Sequence, residues 1–232
     1  MIPALSTRFR AAPALRQRQR LLFLWAGGLL VAGDAIFWLM FAAVLSETGL
    51  ATVDGTVHSF MVDSRGPVVT AFLTALTTVT SPVWMTVISV AVAVAWTAWK
   101  RELWRPAVLM GAMLLAGILS TVIKQDVGRS RPPSSDFLLG PDDALSFPSG
   151  HTLGAGIFAL VLTYLIVSRS GTRTTAVLAF TGAALLTLLV AYSRVYLGYH
   201  WLTDVVASLG LALGVTGIAV FVDAARHGGR LG

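Results

Sequence analysis

The sequence predicts an all-α, polytopic membrane protein: a six-transmembrane-helix bundle with an interfacial helix ahead of the second span. Three observations lead there. The 232 residues are 56% hydrophobic and only 12% charged, with a mean hydropathy of +0.77, whereas a soluble domain carries about 25% charged residues. Six apolar stretches are each long enough to cross a bilayer, which takes about 20 helical residues. Finally, the basic residues gather at alternate ends of those stretches, as expected when positive loops stay on the cytoplasmic side.

The spans are expected near residues 21–45, 81–99, 105–124, 150–168, 175–193 and 201–222. Residues 67–80 (GPVVTAFLTALTTV) are apolar but too few to cross, and Pro82 follows them. They read as an interfacial or re-entrant helix leading into the second span. The first twenty residues hold Arg8, Arg10, Arg16, Arg18 and Arg20 and no acid. The apolar run after them is too long for a signal peptide, so an uncleaved first span is expected. The organisation is then a basic cytoplasmic segment (1–20), one membrane domain (21–225) and a cytoplasmic tail (226–232). The one extended polar connection is 125–149, rich in Pro, Ser and Asp.

With the N-terminus inside, twelve Lys and Arg residues fall on the cytoplasmic side and five outside: Arg65, Lys124, Arg129, Arg131 and Arg194. Eight of the eleven acids fall outside as well. The net charge of +6 forms no basic stripe with interleaved aromatics, so nucleic acid is not an expected partner. The absence of cysteine excludes thiolate catalysis and Cys-ligated metal sites. Trp25, Trp96, Trp99 and Trp104 near one boundary, with Trp84 and Trp201 near the other, suit aromatic belts. Gly210, Gly214 and Gly217 would let a neighbouring helix approach the last span closely.

The outward basic residues are the exceptions that carry chemistry. Three polar clusters share the outer face: Lys124 to Arg131-Pro132, Pro148-Ser149-Gly150-His151, and Ser193-Arg194 with His200 and Asp204. Any one of Lys124, Arg131 and Arg194 could be an anchor snorkelling to headgroups. Three on the side that basic residues avoid suggest a cradle for a multiply charged anion, since arginine's fork pairs two phosphate oxygens and lysine adds a compact charge. Ser149 suits an N-cap, and Gly150 lets an anion approach the free N–H groups of the helix start. An ordinary cap with an incidental histidine fits that string equally. His200 and Asp204, four apart, share one helical face. A carboxylate on one ring nitrogen fixes the tautomer and makes the other a better base or nucleophile. Zinc ligation is a third reading of the histidines; it would have to recruit His58, because His227 falls on the cytoplasmic side.

Together the blocks resemble the type 2 phosphatidic acid phosphatase (PAP2) family, whose signature is K-x6-RP, PSGH and SR-x5-H-x3-D. Here they read Lys124-QDVGRS-Arg131-Pro132, Pro148-Ser149-Gly150-His151 and Ser193-Arg194-VYLGY-His200-WLT-Asp204, with no departure. The match spans 124–204; over the first hundred residues it rests on helix layout alone. The resemblance implies that His200 attacks phosphorus to form a phosphohistidine while Asp204 holds its imidazole. It implies His151 as the acid that protonates the leaving lipid oxygen, and Lys124, Arg131, Arg194, Ser149 and Gly150 as holders of the phosphoryl oxygens. No metal or other cofactor is implied. The expected setting is a bacterial-type inner membrane with the site on the periplasmic side and a lipid phosphate as substrate. Polyprenyl pyrophosphate, phosphatidylglycerol phosphate and phosphatidic acid all fit; phosphotransfer to an acceptor and anion transport are rival functions.

Four features stay outside that assignment. Asp34, mid-span, should face the bundle and find a partner, because a charge in hydrocarbon costs about 2.5–3.5 kcal/mol on insertion scales. Arg129 reads as a loop-solvating residue, with assistance to the phosphate as the alternative, and Asp142 and Asp143 as a solvated turn. Phe137, Leu138, Leu139 and Phe147 suit either loop packing or contact with a lipid tail.

Overall fold

The computed structural model describes residues 5–228, and among these there are eight α-helices and no strand. They are α1 (Leu5–Ser46), α2 (Asp54–Asp63), α3 (Pro67–Val79), α4 (Pro82–Lys100), α5 (Trp104–Val127), α6 (Gly150–Ser170), α7 (Arg173–Tyr196) and α8 (Leu202–Gly228). All except α2 and α3 are long and apolar enough to cross a membrane. The expected segments 1–20 and 226–232 lie partly outside the described residues; α1 already runs through the first from Leu5 onward.

Local chemistry sets the helix ends. Ser81 caps α4 by accepting from Trp84 N, with Pro82 at the first helical position. Thr172 caps α7 through Thr175 N at 3.2 Å. Gly128, in the left-handed conformation at φ +63°, stops α5 and turns the chain into the long polar connection.

The helices divide into inner and outer ones. The most apolar stretch of α8 is 67% buried and that of α6 50%, against 11–28% for the other four spans. Thus α8 and α6 form the axis, and the others present Leu, Val and Ile outward as a lipid face. Small residues join α8 to α1: a Cβ on Gly210 would meet Gly33 O at 2.7 Å, and one on Gly217 would meet Ala26 O at 2.7 Å. Such close backbone approach supplies the packing that hydrophobicity cannot supply between helices in lipid.

Two features differ from the sequence reading. Residues 54–63, which it assigns to no element, form α2. Their polar string offers no apolar stripe because the buried face carries Asp54 and His58 rather than hydrocarbon. Asp34 does not face the bundle. It is exposed, at the edge of the α1–α8 seam, with no hydrogen-bond partner among the described residues. The glycine packing that draws α1 against α8 places Gly33 inward and turns the adjacent Asp34 out. Trp201, at the start of α8, also ties into the site end: its Nε1 donates to Ser130 O, and its ring packs on His58 and Arg129.

Gly210→Val should lower the thermal midpoint of the purified protein, because the added methyls meet backbone rather than a yielding side chain. Overpacking of this kind costs about 1–3 kcal/mol. A thermal melt in detergent, with Gly182→Val as the control in open space, checks it.

Candidate active site

Four short pieces of chain meet at one end of the bundle: the last turn of α5, the connection 128–149, the first turn of α6, and the turn between α7 and α8. That turn depends on Gly198, at φ +90°, where a Cβ would meet Asp136 O at 2.5 Å and the Arg65 guanidinium at 2.9 Å. No other residue fits there. The turn closes when Tyr199 N and His200 N both donate to Arg194 O, which presents the imidazole towards the α5–α6 connection.

His200 is buried, and its Nδ1 lies 3.2 Å from Asp204 Oδ2. Arg131 donates an N–H to His200 Nε2 at 3.3 Å, so that nitrogen carries the lone pair and Nδ1 the proton. Asp204 has no exposed surface. Its Oδ2 also accepts from Trp201 N at 2.9 Å and from Ser146 Oγ, while Oδ1 accepts from Arg129 at 2.5 Å. Breaking a buried ion pair by removing one partner costs about 3–5 kcal/mol, so Arg129 is a structural requirement of this carboxylate.

Burial, and then the charges of Arg194, Arg131 and Lys124, push the His200 imidazole well below its ordinary range. That direction favours the neutral imidazole at physiological pH. Burial likewise lowers Arg131, an effect opposed by Asp142 and Asp204.

The three anion-binding candidates differ in how they are held. Lys124 Nζ donates to Leu145 O and, at 3.4 Å, to Ser146 O. Arg131 is anchored by Ala144 O, Tyr199 O and an ion pair to Asp142 at 2.9 Å. Arg194 donates to Thr77 Oγ1 at 2.8 Å and stacks on the Tyr199 ring at 4.5 Å, but its buried Nε has no acceptor. Ser149 stands at the N-cap position of α6 without capping it; its Oγ accepts from Thr152 Oγ1 instead. The first-turn N–H groups, which have no intrahelical acceptors, stay available to an anion. His151, half-buried in that turn, lies within electrostatic range of His200 and of all three cations.

All eight motif residues therefore belong to this end of the bundle. Other residues here were not foreseen. Arg129, expected to solvate the loop, is bound to Asp204 and Asp54. Asp142, expected in a solvated turn, pairs with Arg131. His58 is not beside the other histidines as a zinc site would need; its Nε2 is 2.9 Å from Asp136 Oδ2. No group of three or more His, Asp or Glu side chains among the described residues could hold a metal ion. Only the i, i+4 spacing of Asp54 and His58 could have flagged a polar buried face, and Ser146 carries no motif signal.

A family model described as the PAP2 superfamily matches residues 105–226. Phosphatidylglycerophosphatase B of Bacillus subtilis (strain 168) is 27% identical over 180 residues, 77% of this chain and 87% of that one. The crystal structure of a transmembrane PAP2 type phosphatidylglycerolphosphate phosphatase from Bacillus subtilis superposes with a TM-score of 0.71 at 21% identity, covering 87% of this chain and 98% of the other. That of Aquifex aeolicus LpxE gives a TM-score of 0.51 at 22% identity, covering 72% and 94%. At these identities the two structures bear on the fold, which they share.

The electrostatics predict that the His200 imidazole stays neutral below pH 6.5, the ordinary histidine value. In Arg131→Gln, which removes one neighbouring cation, its titration should move up. Imidazole ¹⁵N shifts followed against pH in detergent read this; a wild-type His200 titrating at the ordinary value contradicts it.

Proposed function

The chain belongs to the PAP2 superfamily, and from that premise and the site geometry we propose that it is a metal-independent lipid phosphatase working through a phosphohistidine. The observation that carries the reading is the Nδ1–H···Asp204 hydrogen bond, which leaves His200 Nε2 as a lone pair beside Arg131. Nε2 attacks phosphorus, the P–O bond to the lipid breaks, and His151 gives its proton to the leaving oxygen. Asp204 balances the charge on the phosphorylated imidazole. Water then attacks the phosphohistidine, returning its proton to His151, and the P–N bond breaks to release inorganic phosphate.

Lys124, Arg131, Arg194 and the open first turn of α6 hold the phosphoryl oxygens. Phosphoryl transfer needs positioning and charge compensation above all, and fixed cations supply both. The unpartnered Arg194 Nε supports this role, because a buried donor without an acceptor costs about 1–3 kcal/mol that an anion oxygen would relieve.

A groove supports a lipid rather than a soluble ester. Between α4 and α5 runs an opening of about 560 Å³, lined by Met110, Met113, Leu114, Ile118 and Val122. It shares Thr86, Met113, Gly117 and Thr121 with a second opening that reaches Gly150 at the head of α6. An acyl or prenyl chain lying there would carry its phosphate to the first turn of α6. Among lipid phosphates we favour phosphatidylglycerol phosphate, the substrate named for the curated Bacillus relative. The basic-residue asymmetry supports a site on the periplasmic face with both termini in the cytoplasm.

Purified protein should release phosphate from phosphatidylglycerol phosphate in mixed micelles, with no effect of chelator. His200→Ala should abolish turnover, and Arg194→Gln should cost on the order of 10²–10³ in kcat. Strict dependence on Mg²⁺, or equal turnover of a water-soluble phosphate ester, would count against the reading. For sidedness, His58 is too buried to label, whereas Thr52 and Arg173 are exposed at opposite ends. Thr52→Cys should react with an impermeant maleimide in intact cells, and Arg173→Cys only after permeabilisation.

A further inference from the structure

We propose that Asp54 and Arg129 are positioning residues for the nucleophile: a chain of buried ion pairs, Asp54–Arg129–Asp204, that keeps Asp204 ionised and aimed at His200. The inference rests on His200 being the nucleophile, but its geometry stands independently. One terminal nitrogen of Arg129 lies 2.5 Å from Asp204 Oδ1 and 2.8 Å from Thr203 Oγ1; the other lies 2.7 Å from Asp54 Oδ2. Asp54 in turn accepts from Thr203 N at 3.0 Å and from Thr203 Oγ1 at 2.6 Å. A carboxylate on α2 therefore caps the first turn of α8, the turn that carries Asp204. Both carboxylates are buried, Asp54 3% exposed and Asp204 0%.

The two oxygens of Asp204 divide the work. Oδ2 takes His200 Nδ1, Trp201 N and the Ser146 hydroxyl; Oδ1 takes Arg129. Without that guanidinium, a fully buried carboxylate facing a neutral imidazole would favour its protonated form. A protonated Asp204 would donate to Nδ1 rather than accept from it. His200 would then carry its proton on Nε2, the atom that must attack. Arg129 is not a fourth phosphate ligand, because both its terminal nitrogens are committed to carboxylates, and it binds the Asp204 oxygen that His200 does not use. The charged and titratable groups facing the His200–Asp204 pair are Lys124 from α5, Arg129, Arg131 and Asp142 from the connection, His151 from α6 and Arg194 from α7. Asp54 from α2 reaches the pair through Arg129. Among these, Arg129 alone makes an ion pair with Asp204 through a guanidinium.

The test compares Arg129→Gln, Arg129→Lys and Asp54→Asn with wild type in kinetics and in imidazole ¹⁵N shifts. Arg129→Gln should lose about 10–100-fold in kcat, by analogy with the partners that orient metal-bound histidines, with KM for the lipid unchanged. The acid limb of its kcat profile should move to higher pH, and the His200 Nδ1–H tautomer should be lost at neutral pH. Arg129→Lys should restore part of the rate and the wild-type limb. Asp54→Asn, which keeps hydrogen-bonding shape but not charge, should lower kcat less and leave the limb in place, since Arg129 remains. Arg129 also borders a cleft of about 450 Å³ lined by Glu47, Asp54 and Trp201, so added guanidinium should rescue Arg129→Gly. Should Arg129→Gln fail to fold, the lysine and Asp54→Asn variants still decide. A rise in KM matching the fall in kcat/KM would make Arg129 a phosphate ligand and overturn the proposal. Wild-type tautomer and pH profile in a folded Arg129→Gln would overturn it too. A wild-type protein inactive on every lipid phosphate would overturn the function reading instead, and the ¹⁵N shifts would still decide the positioning claim.

Discussion

A single carboxylate with no access to water, Asp204, sets the terms for the site end of this protein. A buried charge is tolerable only when it is paired and hydrogen-bonded. The groups that meet this demand come from two separate parts of the chain: Trp201 N and His200 from the turn before α8, Ser146 and Arg129 from the α5–α6 connection. Arg129 draws in α2 through Asp54. The same bonds that compensate the charge also hold the connection against the bundle and fix the tautomer of His200, so stability and chemistry share one set of contacts.

The membrane explains why this polar cluster sits where it does. Along the spans, α1 and α8 meet through glycine and alanine, and apart from Asp34 on α1 the outer helices face lipid chiefly with hydrocarbon. Ionisable side chains are expensive there. At the span ends the backbone leaves the helix, and the freed N–H and C=O groups require partners. Lys124, Arg131 and Arg194 answer part of that requirement by donating to backbone carbonyls or to Thr77. A second polar group, Trp104 and Tyr164 on the carboxylate of Asp223, ties α5, α6 and α8 at the opposite end. The bundle is pinned at both rims and packed by small residues between them.

Much of this was legible in the sequence, for physical reasons that differ by feature. The six spans follow from run length, because a helix must bridge a fixed thickness. The short α3 follows from its apolar content and Pro82. His151, His200, Asp204 and the three cations are legible through spacing, since each motif lies within a turn or two of one helix end. Asp54, Ser146 and the role of Arg129 were not, because Ser146 and Arg129 reach Asp204 across 58 and 75 residues of chain, and Asp54 reaches Thr203 across 149, through tertiary contacts alone. α2 was missed because its buried face is polar, which inverts the pattern by which amphipathic helices are recognised. Asp34 was misjudged because the cost of a mid-span charge says nothing about which side Gly33 must turn to.

The most direct measurement of the central claim is to quench wild-type protein within a turnover of ³²P-labelled lipid phosphate, digest it and locate the label. The account predicts an acid-labile, base-stable phosphoryl group on Nε2 of His200, and no labelled protein in His200→Ala. Label on any other residue, or a productive turnover that never passes through a phosphorylated protein, would contradict it.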